Sequence, residues 1–268
     1  MTEAVDNAKL AALKNQVHPL IRKAVDQGPV EGTLQLDRLT LMLKRSDAQQ
    51  QALTQFLADQ QNPSSPSYHH WLTAKEFGER FGLADSDIQQ VTAWLQSQGF
   101  TVNQVANGRD YIEFSGSAAQ VSRAFHTSIH QYLVNGESHI GNSTTLAIPA
   151  ALAPVVESVH SLNDFRSRPL HINVADTITG KKGDSTSRPA VTFSTTSHAL
   201  APSDYAAIYN IQTLYNQGVT GTGKTIAVVG RSNINPATLA NFRSIFGLGA
   251  GSNTTVLNGP DPGVLDQI

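Results

Sequence analysis

The sequence predicts an α+β domain followed by the opening of an α/β layer. Three observations carry that expectation. Up to about residue 165, strand-like alternation and helix-like periodicity follow one another, with caps and turns between them. From 166 to about 200 the periodicity vanishes into a polar, Ser/Thr-rich stretch. Beyond it, a run at 226–229 that is apolar on both faces sits between two helical patterns, as a buried parallel strand does.

The elements read in order as follows. Leu39, Leu41 and Leu43 alternate with Thr40, Met42 and Lys44, a strand with one buried face. Ser46-x-x-Gln49 is a capping box before a helix carrying Ala52, Leu53, Phe56 and Leu57, which ends at Asn62-Pro63. Thr73-x-x-Glu76 is a second box, with Leu72 and Phe77 at hydrophobic-staple spacing and Gly82 as the stop. A third helix bears Ile88, Val91 and Leu95 and stops at Gly99. Strands at 100–105 and 111–114 are joined through Asn107-Gly108, and Ser117-x-x-Gln120 caps a helix bearing Val121, Ala124 and Phe125. A last strand at 129–134 enters a second Asn-Gly turn, and an amphipathic stretch with Leu152, Val155, Val156 and Val159 follows. The order β-α-(α-α)-β-β-α-β is the split-βαβ, ferredoxin-like order with two inserted helices. It implies an antiparallel sheet covered by helices on one face.

Composition narrows the function classes. The chain has 268 residues, 40% apolar and 15% charged, enough for one or two ordinary domains. A net charge of -2 gives no whole-chain reason for nucleic-acid binding. There is no cysteine, hence no disulfide, thiol nucleophile or thiolate metal site. No apolar run reaches the ~18 residues that span a bilayer. Glu3 and Asp6 lie where a signal peptide would carry basic residues, so none is visible. An intracellular protein, an upstream start and a trimmed signal all remain open.

Gly218 to Thr225 matches the phosphate-loop pattern G-x4-G-K-[ST], but a helix precedes it and a strand follows. The mechanism needs the reverse, so that a helix N-terminus points at the phosphates. A Gly-rich turn is the expected reading, with a nucleotide-binding enzyme as the weakest function considered. His126 and His130 have i, i+4 spacing without a neighbouring glutamate, and they straddle a helix-to-strand switch, so no metal site is expected there. Eight of nine histidines precede the second half of the polar stretch. His69, His70 and His126 are therefore candidate pH sensors for release of a packed domain, against the plainer reading of scattered surface and capping histidines. The last glutamate is Glu157, and after residue 200 the carboxylates are Asp204, Asp261 and Asp266. No Ser, base and oxyanion donor can be assembled from this sequence.

Leu36-Asp37-Arg38-Leu39-Thr40-Leu41-Met42-Leu43-Lys44-Arg45, then Tyr68-His69-His70-Trp71-Leu72-Thr73 with Glu76-Phe77 and Phe81-Gly82, resemble the pro-kumamolisin activation domain, the propeptide of sedolisin (serine-carboxyl) peptidases. Leu146-Ala147-Ile148-Pro149 continues the likeness. Tyr205, Gly221-Thr222-Gly223-Lys224-Thr225 and Leu257-Asn258-Gly259-Pro260-Asp261-Pro262-Gly263 are similar to the start of that family's subtilisin-like catalytic domain.

The resemblance implies an N-terminal extension at 1–29, a propeptide at 30–165, a processing linker at 166–200 and an incomplete peptidase domain at 201–268. The leading domain would assist folding of an intramolecular peptidase domain and block its cleft until self-cleavage in acid. Cleavage would fall between Arg168 and Ala199, a region holding Lys182, Arg188 and His198. The family's Glu/Asp helix, oxyanion Asp and Gly-Thr-Ser serine match nothing here, so no catalytic residue is carried over. Calcium and secretion are implied for the whole enzyme, with protein or peptide substrates, and not nucleic acid or membrane. The alternative is a standalone inhibitor or chaperone of a separate peptidase; the coding sequence beyond Ile268 would separate the two. In either case residues after Ser203 are expected to fold poorly alone, exposing 226–229 as an apolar edge.

Overall fold

The alternation at 35–43 does build a central strand, and most of the remaining elements assemble around it. The computed structural model describes residues 3–14, 16–165, 191–192, 198–230, 232–249, 251–257 and 261–264. The chain divides into two units, Met1–Arg168 and Pro169–Ile268.

In chain order, the first unit contains β1 (Leu10–Ala12), β2 (Val25–Pro29), β3 (Gln35–Leu43), α1 (Asp47–Gln61), α2 (Ala74–Phe81), α3 (Asp85–Ser97), β4 (Thr101–Val105), β5 (Tyr111–Ser117), α4 (Ala118–Phe125), β6 (Ile129–Val134), β7 (Glu137–Asn142), β8 (Ala147–Pro149) and β9 (Val156–His160). It is an α+β unit whose sheets are antiparallel. Strand order is β4-β5-β3-β9 in the largest, β2-β6-β7 in the second and β1-β8 in the smallest.

Leu41 lies opposite both Ile112 and Val159, and all three are buried, which defines the inner face of the large sheet. Val91, Trp94 and Leu95 of α3 and Val121 and Phe125 of α4 join them in one core with Ile129, Leu146, Ile148 and Leu152. Phe125 meets Trp94 edge-on at 5.5 Å and also meets Phe100 and Phe114, at 5.8 Å and 6.0 Å. Helices α1 and α2 stand apart from this core. Leu53, Phe56 and Phe81, with Leu72 and Phe77 packed against them, form a separate small core. Arg80 lies over the Phe56 ring at 4.2 Å and Arg45 over Phe77 at 5.0 Å.

The three capping boxes form as the sequence predicts, at Ser46/Gln49, Thr73/Glu76 and Ser117/Gln120. Asn135 and Gly136 both take positive φ, 51° and 84°, in the two-residue turn between β6 and β7. The Asn107-Gly108 turn closes differently. Arg109 donates its N–H to the Ala106 carbonyl and carries the positive φ itself, 53°, while Gly108 does not.

Three elements depart from the sequence reading. The strand Ile129–Val134 was expected to complete the large sheet, but it lies in the second sheet, between β2 and β7. Its Asn-Gly turn commits it to a local hairpin, and the open edge of β3 goes to β9, whose Val156 and Val159 are buried. The segment read as an extension before Val30 supplies β1 and β2. It also buries Leu13 and places Asn7 Oδ1 to accept from Trp94 Nε1 at 3.0 Å. Gln16 binds across the unit: its Oε1 accepts from Val159 N–H at 3.0 Å, and its carbonyl accepts from Asn142 Nδ2 at 3.1 Å.

The described part of the second unit contains β10 (Val191–Thr192) paired with β11 (His198–Ala199), then α5 (Pro202–Ile208), α6 (Ile211–Asn216) and α7 (Pro236–Ile245). The run at 226–229 is the third departure. It forms no strand, and Ile226, Val228 and Val229 are 86%, 89% and 99% exposed. A segment apolar on both faces needs sheet neighbours and covering layers, and the described residues supply neither.

Candidate functional site

The large sheet has an outer face opposite its buried one. Thr40 sits between Glu113 and His160, and Met42 between Tyr111 and Ser158, each one residue along from the buried inner positions. At the register shift between Leu36 and Leu39, Arg38 takes a φ of 56°. This bulge turns its guanidinium onto Glu113, with Nη2 to Oε2 at 2.8 Å, and its N–H donates to Ser115 Oγ at 3.2 Å. Asn103 Nδ2 donates to the same hydroxyl at 2.7 Å. The result is a polar, half-buried face braced by side chains from neighbouring strands.

The candidate histidines are distributed rather than clustered. His69 and His70 are exposed in the loop between α1 and α2. Gln60 fixes that loop: its carbonyl accepts from His69 N–H at 3.1 Å, and its amide donates to the His70 carbonyl at 2.5 Å. His69 takes a positive φ of 54°, a conformation costing on the order of 1–2 kcal/mol outside glycine. His126 ends α4 in the left-handed conformation, at the helix-to-strand switch read from sequence.

His70 acts on Glu76 through its charge, but the histidines hydrogen-bonded to carboxylates are others. His130 Nδ1 lies 2.9 Å from Asp26, and His139 Nδ1 lies 3.2 Å from Asp164. Asp26 and Asp164 are distant along the chain from their histidines, so no local motif could have revealed these two pairs; Glu137, two residues from His139, also lies 3.8 Å from its Nε2. Phe165 lies between His18 and His139, stacked on each at 4.5 Å. Arg168, Lys182 and Arg188 lie outside the described residues. His198 and Ala199 form the two-residue strand β11.

Two exposed carboxylates respond to acid. Thr73 holds Glu76 below the usual carboxylate range, first through its backbone N–H and then its hydroxyl, each at 2.8 Å. The Gly28 N–H at 2.8 Å, then His130, does the same for Asp26. Burial, reinforced by the Asp26 charge, pushes the Tyr132 phenol up. A depressed carboxylate contributes stability above its unfolded pKa, and that contribution disappears as pH falls through the folded value. The α2 cap and the β2–β6 pairing should therefore loosen together below about pH 4. The other two boxes use Gln49 and Gln120, which do not titrate. Glu76→Gln should thus keep the α2 cap while removing its acid sensitivity. Amide exchange at residues 76 and 77 across an acid titration checks this; identical profiles for both proteins would refute it.

The remaining chemistry-bearing groups are occupied locally. Asp204 accepts from the Ala201 N–H at 2.7 Å, and Asp261 accepts from Asn233 Nδ2 at 2.7 Å and from the Gly263 N–H at 2.8 Å. In the stretch matching the phosphate-loop pattern, Gly218, Gly221 and Gly223 take positive φ, and the next helix begins only at Pro236. Among the described residues, no group of three or more His, Asp or Glu side chains is placed to hold a metal ion, and no helix is long and apolar enough to cross a membrane.

The pro-kumamolisin activation-domain family model matches residues 22–165, more than half of the chain and nearly all of its first unit. Xanthomonalisin of Xanthomonas sp. (strain T-22) is 30% identical over 232 residues, covering 83% of this chain and 27% of that protein. Sedolisin of Pseudomonas sp. (strain 101) is 26% identical over 220 residues, covering 82% and 35%. Kumamolisin of Bacillus sp. (strain MN-32) is 22% identical over 208 residues, covering 77% and 35%. The chain thus spans about a quarter to a third of the length of these relatives. The xanthomonalisin match is longer than residues 1–165 alone could supply, so it reaches into the second unit. A helix-backed antiparallel sheet that fits the activation-domain model, continuous with a segment that still aligns with peptidases, fixes the family: the chain belongs to the pro-kumamolisin activation-domain family and is a precursor sequence of the sedolisin type.

Proposed function

We propose that residues 30–165, together with the strands that precede them, act as the propeptide of a secreted acid serine-carboxyl endopeptidase. Residues 166–200 are its processing linker, and 201–268 belong to the peptidase domain. The propeptide assists folding of that domain and blocks its cleft until self-cleavage in acid. Its sheet order, with β3 flanked by β5 and β9, supports a ferredoxin-like description, and the peptidase part is subtilisin-like. Calcium and the catalytic carboxylates belong to the rest of such an enzyme, so the 268 residues alone are inactive.

The observation that carries this reading is the coincidence of the family match with a unit that has its own core. That unit also presents a polar sheet face braced by Arg38, Glu113, Ser115 and Asn103. Tests use the purified chain added to matured xanthomonalisin at neutral pH and in acid. The chain should suppress peptide hydrolysis near neutrality and lose its hold as acid weakens Asp26 and Glu76. Hydrolysis by the chain itself, or no inhibition at any pH, would overturn the proposal.

A further inference from the structure

The chain leaves the first unit through a short segment that is held on several sides. Leu162 is buried in the main core. The next three residues, Asn163 to Phe165, run beside β7, the edge strand of the second sheet. Asp164 meets Ile140 twice there: its N–H donates to the Ile140 carbonyl at 3.4 Å, and its Oδ1 accepts from the Ile140 N–H at 2.9 Å. Asn163 Oδ1 accepts from the Phe165 N–H at 3.3 Å, a local turn that fixes the backbone before the ring.

The Phe165 ring is closed between two imidazoles, with His18 at an interplanar angle of 7° and His139 at 25°. Each plate is itself fixed. His18 Nδ1 accepts from the Leu20 N–H at 3.3 Å as the cap of the 3-10 turn Pro19–Lys23, and Asp164 holds His139 through Nδ1. Gly141 leaves the room for this packing. A β-carbon there would come within 2.7 Å of Ile21 Cδ1, 3.4 Å of Asn163 Cβ and 3.6 Å of Phe165 Cε2. The family match begins at residue 22, so His18 and Ile21 lie ahead of it. Gln16 secures the same stretch, through its bonds to Val159 and Asn142. Chain ends of a domain ordinarily fray unless tied down, and here the two ends are tied to each other.

We infer that residues 16–21 and β7 form a clasp that closes on Asn163–Phe165 and sets the proteolytic boundary of the first unit. While the clasp is shut, the Phe165–Arg166 bond is withheld from peptidases. Proteolysis needs backbone that can leave its own contacts and extend into a cleft. Phe165 cannot do so without leaving both imidazoles, and Asp164 cannot without releasing Ile140. Cutting is thereby confined to bonds beyond Phe165, and the leading unit keeps its own end after processing. That consequence rests on the processing reading above, whereas the clasp itself is tested without it.

The test is digestion of the purified chain near neutral pH by chymotrypsin, which cuts after phenylalanine, with the fragments weighed by mass spectrometry. A synthetic peptide spanning 160–170 gives the rate for the same bond without the clasp. Cleavage after Phe165 should be slower in the chain by about tenfold or more, since two ring stacks must open first. His18→Ala should raise that rate about fivefold, the factor that one lost stack carries when cutting follows the open population. His18→Phe keeps a plate over the ring and should stay protected; Gly141→Ala should open the bond. Amide exchange at Ile140 should quicken with cleavage in His18→Ala, while slow exchange at Leu41 in the central strand reports that the unit is still folded. Cleavage of the unsubstituted chain at the peptide's rate would overturn the clasp, and so would equal rates before and after His18→Ala. Neither result touches the propeptide reading, and failure of the chain to inhibit xanthomonalisin would leave the clasp standing.

Discussion

Phe125→Ala should destabilise the first unit by about 3–5 kcal/mol, the range for removing a fully buried phenylalanine. That is a large share of the ~5–15 kcal/mol that holds a typical domain together. The site has little capacity to collapse. Phe125 is 0% exposed and touches Trp94 from α3, Phe114 from β5 and Phe100 from the connection between α3 and β4. Phe100 and Phe114 are themselves locked edge-on at 5.0 Å, so neither can swing into the space without breaking that pair. The residue also closes α4, where His126 takes the left-handed turn into β6, and a cavity there would free the second sheet as well. Phe125→Leu, which keeps most of the volume, should cost about 1–2 kcal/mol. Urea denaturation followed by far-ultraviolet circular dichroism gives both values. A loss under ~1 kcal/mol for the alanine variant would mean the ring cluster is not what joins the helices to the sheet. If the propeptide role is correct, the same variant should also fail to inhibit a peptidase at concentrations where the native chain does.

The parts of this fold that were legible in sequence are those fixed by neighbours along the chain. Ser46, Thr73 and Ser117 with their partners three residues on specify helix starts through local hydrogen bonds alone. Leu39, Leu41 and Leu43 specify a strand because a period of two leaves no other face to bury. What stayed illegible was pairing. Nothing in Ile129–Val134 says whether it joins β3 or β2, since its own pattern of buried residues does not alternate. Val156–His160 lacks alternation because Val159 and Ser158 are buried on opposite faces. The run at 226–229 was read correctly as doubly apolar, but a strand needs partners as well as composition, and none is described.

The candidate site follows the same rule. His69, His70 and His126 were singled out by how the histidines are distributed along the chain, whereas the histidines hydrogen-bonded to carboxylates, His130 and His139, meet Asp26 and Asp164 across 104 and 25 residues. Arg38 likewise reads as an ordinary outward strand residue. Only the bulge brings its guanidinium and N–H together over Glu113 and Ser115. The string Tyr68 to Thr73, one of several segments that together carry the family resemblance, becomes a backbone-pinned ring stack and the N-terminal box of α2.

Gly78→Ala should destabilise the same unit by about 1–2 kcal/mol net, although helix propensity taken alone predicts the opposite sign. Alanine is favoured over glycine inside a helix by about 1 kcal/mol. At this position, however, a β-carbon would overlap the Asn107 carbonyl oxygen and lie 3.0 Å from the Gly108 carbonyl carbon. Those are backbone atoms in the β4–β5 turn and cannot rotate away, so α2 or the turn must move, and overpacking of this kind costs about 1–3 kcal/mol or more. Movement would not stop at one contact. Gly82 approaches Arg109 and the Gly108 carbonyl just as tightly, and α2 is tied to α1 by Gln49 Nε2 on the Gly82 carbonyl at 2.6 Å. Gly78→Val should be worse than alanine, because branching at the β-carbon enlarges the overlap and lowers helix propensity at once. Denaturant midpoints for the two variants, with amide exchange at Arg109 as the local reporter, separate the cases. A rise in stability for Gly78→Ala would show that α2 does not bear on the turn.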